Sequence, residues 1–364
     1  MLEPFTNVIH REMMILHTDC KFFKGSVPCR PHKEKGVHCE GCPDYAQIQE
    51  RILIIKLGAA GDVIRTTPLL RRITEVMPRA HITWLTDFPE LVPRGYVDDI
   101  IQYSPKDLVW VLNREFDIVY SLDKDKEAIA VAEQVASAKK YGFGMDRYGR
   151  CRAFDEHSEE KFLTGLFDDV SKANTKTYPE EIFEMCHFTY AKEPYILDRT
   201  VDKAWNIPHE KKIVGCNTGC GGRWTSRLWP EEYWVAFARS AKQHGYEILW
   251  LGGEQEHEKN IRLQKTAGGM YLGNFTLAEF ISLMNECDII VSQVTMGMHI
   301  ALALGKKLVL MNNIFNRHEF EMYGQGEIVE PPIPCGCYFT PTCPHDSMRT
   351  ITPEMILGAV ERNT

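Results

Sequence analysis

From Arg51 onward the chain alternates short, wholly apolar runs with longer amphipathic stretches, and it does so in two successive series. A run such as Ile52-Leu-Ile-Ile has no polar face, so it suits a strand covered on both sides, while the stretches between repeat their apolar residues at helical spacing. This βα rhythm is that of a parallel sheet with helices on both faces. The first series predicts strands over 52–57, 81–85, 100–103, 118–122 and 141–144, with a helical pattern over 63–76. The second predicts strands over 213–217, 247–251, 270–272, 289–292 and 308–311. The expectation is an α/β fold of two Rossmann-like, doubly wound lobes facing one another, with ligands beyond the C-terminal strand ends in the cleft between them.

Length and composition agree: 364 residues, 44% hydrophobic and 25% charged, suffice for two ordinary cores. A formal net charge of -8 and the lack of any long basic run argue against nucleic acid as a partner. The first twenty residues carry acids, His and Arg through their apolar stretch, unlike a secretory signal, and no window approaches the roughly 20 apolar residues of a spanning helix. The protein is therefore expected in the cytoplasm, free or peripheral at the inner face of the cytoplasmic membrane. The expected domains are an N-terminal extension (1–50), a first lobe (51–200) whose part from Asp146 breaks the alternation as an insertion, a second lobe (201–330), and a Pro- and Cys-rich tail (331–364). The tail ends in a helix over 353–361 led by Thr352 as N-cap.

Four segments carry the chemistry. In Lys56-Leu-Gly58-Ala-Ala-Gly61-Asp62-Val-Ile-Arg65 a buried strand runs through a Gly-containing turn into a helix, whose first N–H groups can face an anion or an acceptor. Lys56, Gly58, Gly61 and Arg65 are the candidates for acceptor or phosphate contacts. Asp62 either takes a proton from an attacking hydroxyl or caps the helix, and spacing alone does not choose. In Thr218-Gly219-Cys-Gly221-Gly222-Arg223-Trp-Thr-Ser-Arg227 a strand empties into a Gly-rich loop with two arginines before a helix start at Pro230, a suitable cradle for a diphosphate. Glu254, just past the strand over 247–251, can accept hydrogen bonds from a ribose, whereas Glu256 and Glu258 equally suit a helix N-terminus. Last, Thr295-Met-Gly297-Met298-His299 opens a helix that again points its N-terminus at phosphates; His299 is a structural or donor-positioning group.

Taken in order, these segments resemble glycosyltransferase family 9, the ADP-heptose:lipopolysaccharide heptosyltransferases. The resemblance rests on the run KLGAAGDVIRTTPLLRRI, on the basic residue two places before Trp229-Pro230, on the Gly252-Gly253-Glu254 turn and on Met298-His299-Ile-Ala, and it spans about residues 51–313. It implies a GT-B type fold, Asp62 as catalytic base, Arg227 in place of the usual Lys on the donor phosphates, and donor contacts from Thr218, Gly219, Gly221, Gly222, Arg223, Glu254, Thr295, Gly297, Met298 and His299. Val294 stands where the family usually has Asp. The implied activity is inverting, metal-independent transfer of a heptose-like sugar from ADP-heptose to a lipopolysaccharide core or another lipid-linked glycan. The alternatives are transfer to a protein and a catalytically idle homologue that only binds nucleotide sugar; a cysteine-based redox relay is a further one.

Twelve cysteines in a reducing compartment suggest thiols or metal ligands. Cys20, Cys29, Cys39 and Cys42, one pair spaced C-x-x-C, make a complete tetrahedral shell for structural zinc or iron, with His32 and His38 as substitutes. Some relatives that modify proteins carry a four-cysteine iron site. Cys335, Cys337 and Cys343, with His345, could form a second site, join the first or stay free. Cys151, Cys186, Cys216, Cys220 and Cys287 read as scattered, largely buried side chains.

Overall fold

The computed structural model describes residues 15–199 and 201–364. Positions 1–14, within the extension, and Thr200, the end of the expected insertion, lie outside them. One sheet holds β1 (Glu50–Ile55), β2 (Ala80–Thr86), β3 (Asp99–Gln102), β4 (Glu115–Ser121), β5 (Ala136–Met145) and β6 (Cys151–Ala153), in the order β3-β2-β1-β4-β5-β6. All pairs are parallel except β5 with β6. The second holds β7 (Ile213–Asn217), β8 (Glu247–Leu251), β9 (Ile289–Gln293), β10 (Lys307–Met311) and β11 (Gly326–Val329), all parallel, in the order β11-β10-β9-β7-β8. Helices cover both faces, so the central strands bury every apolar side chain: Ile52 to Ile55 and Ile289 to Val291 are inaccessible to solvent.

Each sheet has one place where the strand order reverses, between β1 and β4 in the first lobe and between β7 and β9 in the second. There adjacent connections leave in opposite directions and open a crevice beyond the strand ends. All four chemistry-bearing segments begin at the C-terminal ends of strands.

The structure departs from the expected elements in identifiable ways. The helix expected over 63–76 is two helices, Ala60–Thr66 and Pro68–Val76, because Pro68 has no N–H for the first helix to use and instead starts the second. Met270 makes only an isolated bridge to Leu249 rather than a strand over 270–272. β6 and β11 are additions, both too short or too polar to show as apolar runs. The insertion is largely helical (Glu156–Thr164, Asp168–Ala173, Tyr178–Met185), the last with a capping box from Thr177 and Glu180. The tail helix, Pro353–Asn363, starts behind Thr352, whose hydroxyl accepts from the Met355 N–H.

Candidate active site

On the first lobe, β1 delivers Lys56 into the crevice beside β4. Lys56 is 3% exposed and ion-paired with Asp123, which follows β4 and also accepts from the Leu57 N–H (2.5 Å) and the Gly58 N–H (3.2 Å). This buried pair braces the turn rather than facing solvent. Lys56 Nζ donates to the Gly58 carbonyl (2.7 Å). The following helix has Ala59 as its N-cap, with no capping side chain, so Asp62 is not the cap; it lies in the first turn with its side chain one-third exposed. Arg65 Nε stands 2.9 Å from Asp62 Oδ1, and Lys56 Nζ 3.9 Å from Oδ2. Burial by itself would raise the Asp62 carboxyl, but the Arg65 and Lys56 charges outweigh it and hold it at about 2. Asp62 is therefore ionised and able to accept a proton. Arg65 lies flat on the Tyr178 ring, 3.6 Å from its centroid, with Nη1 3.8 Å from Glu319 Oε1 of the second lobe.

On the second lobe the loop after β7 contains Gly219, Cys220, Gly221, Trp224 and Arg227. The Arg227 guanidinium donates to the Cys220 carbonyl (2.8 Å) and to the Val294 carbonyl. Among the described residues no carboxylate pairs with it, and burial lowers its affinity for the proton. A half-buried guanidinium without a carboxylate is an anion site in waiting, since its charge is best satisfied by a ligand. After β9, Thr295 caps the helix Met296–Ala303, its hydroxyl accepting from the Gly297 N–H (3.1 Å) and from Asn217 Nδ2 (3.0 Å). Val294 thus contributes its backbone carbonyl to the Arg227 site, something its apolar side chain does not prevent.

The two lobes meet closely at this point. A Cβ on Gly61 would lie 2.7 Å from His299 Cδ2 and 3.4 Å from the Met296 Cα, so only glycine lets the Asp62 turn rest against the second lobe's helix. His299 is 5% exposed with no partner for Nδ1. Burial and then the Arg65 charge lower its imidazole to about 3, so it is neutral at physiological pH.

Between the lobes lies a cavity of about 1080 Å³. Of the expected site residues, Gly61, Asp62, Arg65, Gly219, Gly221, Arg227, Glu254, Thr295, Gly297 and His299 line it. Lys56 and Gly58 stand behind the lining, as do Thr218, whose hydroxyl donates to Asn260 Oδ1 (2.7 Å), and the buried Met298. Gly222 and Arg223 are exposed outside it. Glu256 is occupied by the Gly253 N–H (3.0 Å), the helix-start role open to it, while Glu254 has no hydrogen-bond partner among the described residues. Sequence reading missed Asp123, whose signal was its place just past a buried strand. It also missed Glu319 and the aromatic lining of Phe275, Phe315 and Phe339, whose loops carry no periodic pattern.

The cysteines divide differently from expectation. Cys20, Cys29, Cys39 and Cys42 line one separate cavity of about 250 Å³ with His17, His32 and His38. His32 Nδ1 donates to the Val37 carbonyl (2.9 Å), which leaves Nε2 free for a ligand. Yet among the described residues the one group of three or more His, Cys, Asp or Glu ligand atoms lying within 4.8 Å of one another is Cys335, Cys337 and Cys343, without His345. The compact ligand set is thus in the tail. Burial would raise the Cys343 thiol, but hydrogen bonds from Ser347 and the neighbouring thiols lower it to about 6, which favours the metal-binding thiolate. Cys186, Cys216, Cys220 and Cys287 are buried and Cys151 partly so.

The profile of glycosyltransferase family 9 (heptosyltransferase) matches residues 111–323. The lipopolysaccharide core heptosyltransferase OpsX of Haemophilus influenzae is 18% identical over 284 residues, 73% of this chain and 80% of its own. A family 9 glycosyltransferase of Veillonella parvula superposes with a TM-score of 0.65 at 17% identity, over 87% of this chain and 97% of that one. E. coli heptosyltransferase WaaC with ADP-2-deoxy-2-fluoro heptose gives 0.60 at 16%, over 86% and 100%. The iron-containing dodecameric glycosyltransferase TibC of enterotoxigenic E. coli gives 0.55 at 13%, over 87% and 78%. With a profile match over more than half its length and the two-lobed fold of those structures, the chain belongs to glycosyltransferase family 9, the heptosyltransferases.

Proposed function

We propose that this enzyme transfers a heptose from ADP-heptose to a hydroxyl of a lipopolysaccharide core, with inversion at the anomeric carbon. The observation that carries the reading is the pairing, across one cavity, of an ionised carboxylate on the first lobe, Asp62, with a half-buried guanidinium on the second, Arg227, that has no carboxylate partner among the described residues. Asp62 accepts the proton of the acceptor hydroxyl as its oxygen bonds to the anomeric carbon. The bond from that carbon to the diphosphate breaks on the opposite side, and ADP leaves. Arg227 and the N–H groups at the start of helix Met296–Ala303 stabilise the charge that grows on the diphosphate. Glu254, which has no hydrogen-bond partner among the described residues, receives the ribose hydroxyls, and the exposed Arg223 reaches in from the loop's rim. No step is routed through a metal. The tail triad fits one and suits structural zinc or iron, whereas the thiols of Cys20, Cys29, Cys39 and Cys42, gathered around their cavity, would have to draw closer to hold another.

A protein hydroxyl as acceptor is the second reading, favoured by the thiol triad together with the likeness to iron-containing TibC. The proposed reaction runs on the cytoplasmic side, where nucleotide-sugar donors are made and thiols stay reduced, with a lipid-linked acceptor met at the inner membrane surface. No helix among the described residues is long and apolar enough to cross a membrane. The test is ADP release from ADP-heptose with and without candidate acceptors, glycan and protein. Release that requires an acceptor and falls by about 10²-fold or more in Asp62→Ala supports the reading. Donor binding without turnover on any acceptor would replace it with an idle binder.

A further inference from the structure

Asp62 poses a physical problem for its own role: two cations hold its carboxyl at about 2, and a carboxylate so stabilised is a poor proton acceptor. Each cation, however, has a second carboxylate. Lys56 is paired with Asp123, and Arg65 with Glu319. The five groups make one chain of alternating charge, Asp123–Lys56–Asp62–Arg65–Glu319, that runs from the interior of the first lobe across the cleft to the second. Four of its members belong to the first lobe. Only Glu319 comes from the other.

Its position is not left to a loose loop. Glu319 ends the short turn Arg317–Glu319, which Asn316 caps by accepting from the His318 N–H (3.0 Å). Asn316 Nδ2 in turn donates to the Ser171 (2.7 Å) and Asn174 (2.6 Å) carbonyls of the first lobe's insertion. Nearby, the Tyr323 hydroxyl donates to the Glu193 carbonyl (3.0 Å). The Glu319 carboxylate lines the cleft. The charged groups around it are Asp62 and Arg65 from helix Ala60–Thr66, Lys161 from helix Glu156–Thr164 and Glu181 from helix Tyr178–Met185. Burial, with help from Asp62 and Glu181 and against Arg65 and Lys161, moves its carboxyl above the ordinary value.

We propose that Glu319 is a positioning residue that acts on Asp62 through Arg65: by sharing the guanidinium it draws that cation partly away from the Asp62 carboxylate, and only the second lobe supplies it. This rests on the reading of Asp62 as the base. Without the second lobe's carboxylate, Arg65 would act on Asp62 alone and weaken the base further. A protonated Glu319 is equivalent to its absence.

The experiment is the pH profile of kcat and of the donor KM for the full-length enzyme, wild type against Glu319→Gln, Glu319→Asp and Asp62→Asn. At alkaline pH, Glu319→Gln is expected to lower kcat about tenfold, a fraction of what general-base catalysis supplies, with the donor KM within twofold. As pH falls and Glu319 of the wild type protonates, the ratio of the two kcat values should shrink toward one, and Glu319→Asp should recover part of the loss. A ratio that stays constant across pH would show a merely structural role and overturn the proposal, as would an effect confined to KM or no effect at all. Asp62→Asn separates the two ideas: if it remains active, the base reading itself fails, whatever Glu319 does.

Discussion

His299 sits in the apolar helix Met296–Ala303, whose N-terminus faces the cleft. Its position in an apolar helix suited a core histidine as well as a ligand, and the structure gives it features of both: it is nearly buried yet lines the cleft, against the glycine that precedes Asp62. Its depressed value of about 3 has a consequence for stability. Between pH 6.5 and about 3 the unfolded chain binds a proton at this residue that the folded protein refuses, so stability should fall as pH drops through that window. Urea titrations at a series of pH values should show this slope flattened in His299→Gln; an identical slope in the variant would mean that the ring is accessible to protons in the folded state. Asp62 was open to the same two-way reading. The structure removes the capping alternative, since Ala59 is the N-cap, and the surrounding Arg65 and Lys56 keep the carboxylate charged.

At the scale of elements, the tail is where structure adds most. The segment from Cys335 to Cys343 folds back on the donor loop: the Ser226 N–H donates to the Pro341 carbonyl (3.0 Å), the Ser226 hydroxyl to the Thr340 carbonyl (2.8 Å), and Phe339 packs edge-on against Trp224. Its neck is closed by the three thiols, with Cys335 and Cys343 sulfurs 3.4 Å apart. Metal analysis of protein purified under reducing conditions should show zinc or iron that Cys343→Ser loses; unchanged metal content in that variant would leave the triad as free thiols. Much of the rest was legible, for physical reasons. Buried parallel strands must be apolar throughout, so β7 and β8 match their expected bounds residue for residue, while β1 is displaced by two because strand pairing, not apolarity, ends it at Ile55. The break at Pro68 was written in the sequence and overlooked within a continuous amphipathic pattern. The short strands β6 and β11 and the turn that carries Glu319 owe their existence to contacts far away in sequence, which no local pattern records.

At the scale of the molecule, the two strand-order reversals explain why the site is where it is: each opens a crevice at the C-terminal strand ends, and the two crevices face one another. The division of labour follows. The first lobe supplies the ionised carboxylate, the second the Arg227 guanidinium and the N-terminus of helix Met296–Ala303, and the proposed site needs both. Arg227 is the sharpest point of this arrangement, because its half-buried charge donates to backbone carbonyls and pairs with no carboxylate among the described residues. The most direct measurement is therefore ADP binding and ADP-heptose turnover by Arg227→Ala alongside wild type, with folding of the variant verified by its unfolding midpoint. The account expects weaker ADP binding and a kcat lower by about 10²–10³-fold, the effect of removing one preorganised donor from a developing anion. Wild-type ADP affinity and turnover in a folded Arg227→Ala would contradict it, and would move the diphosphate out of the cleft between the lobes.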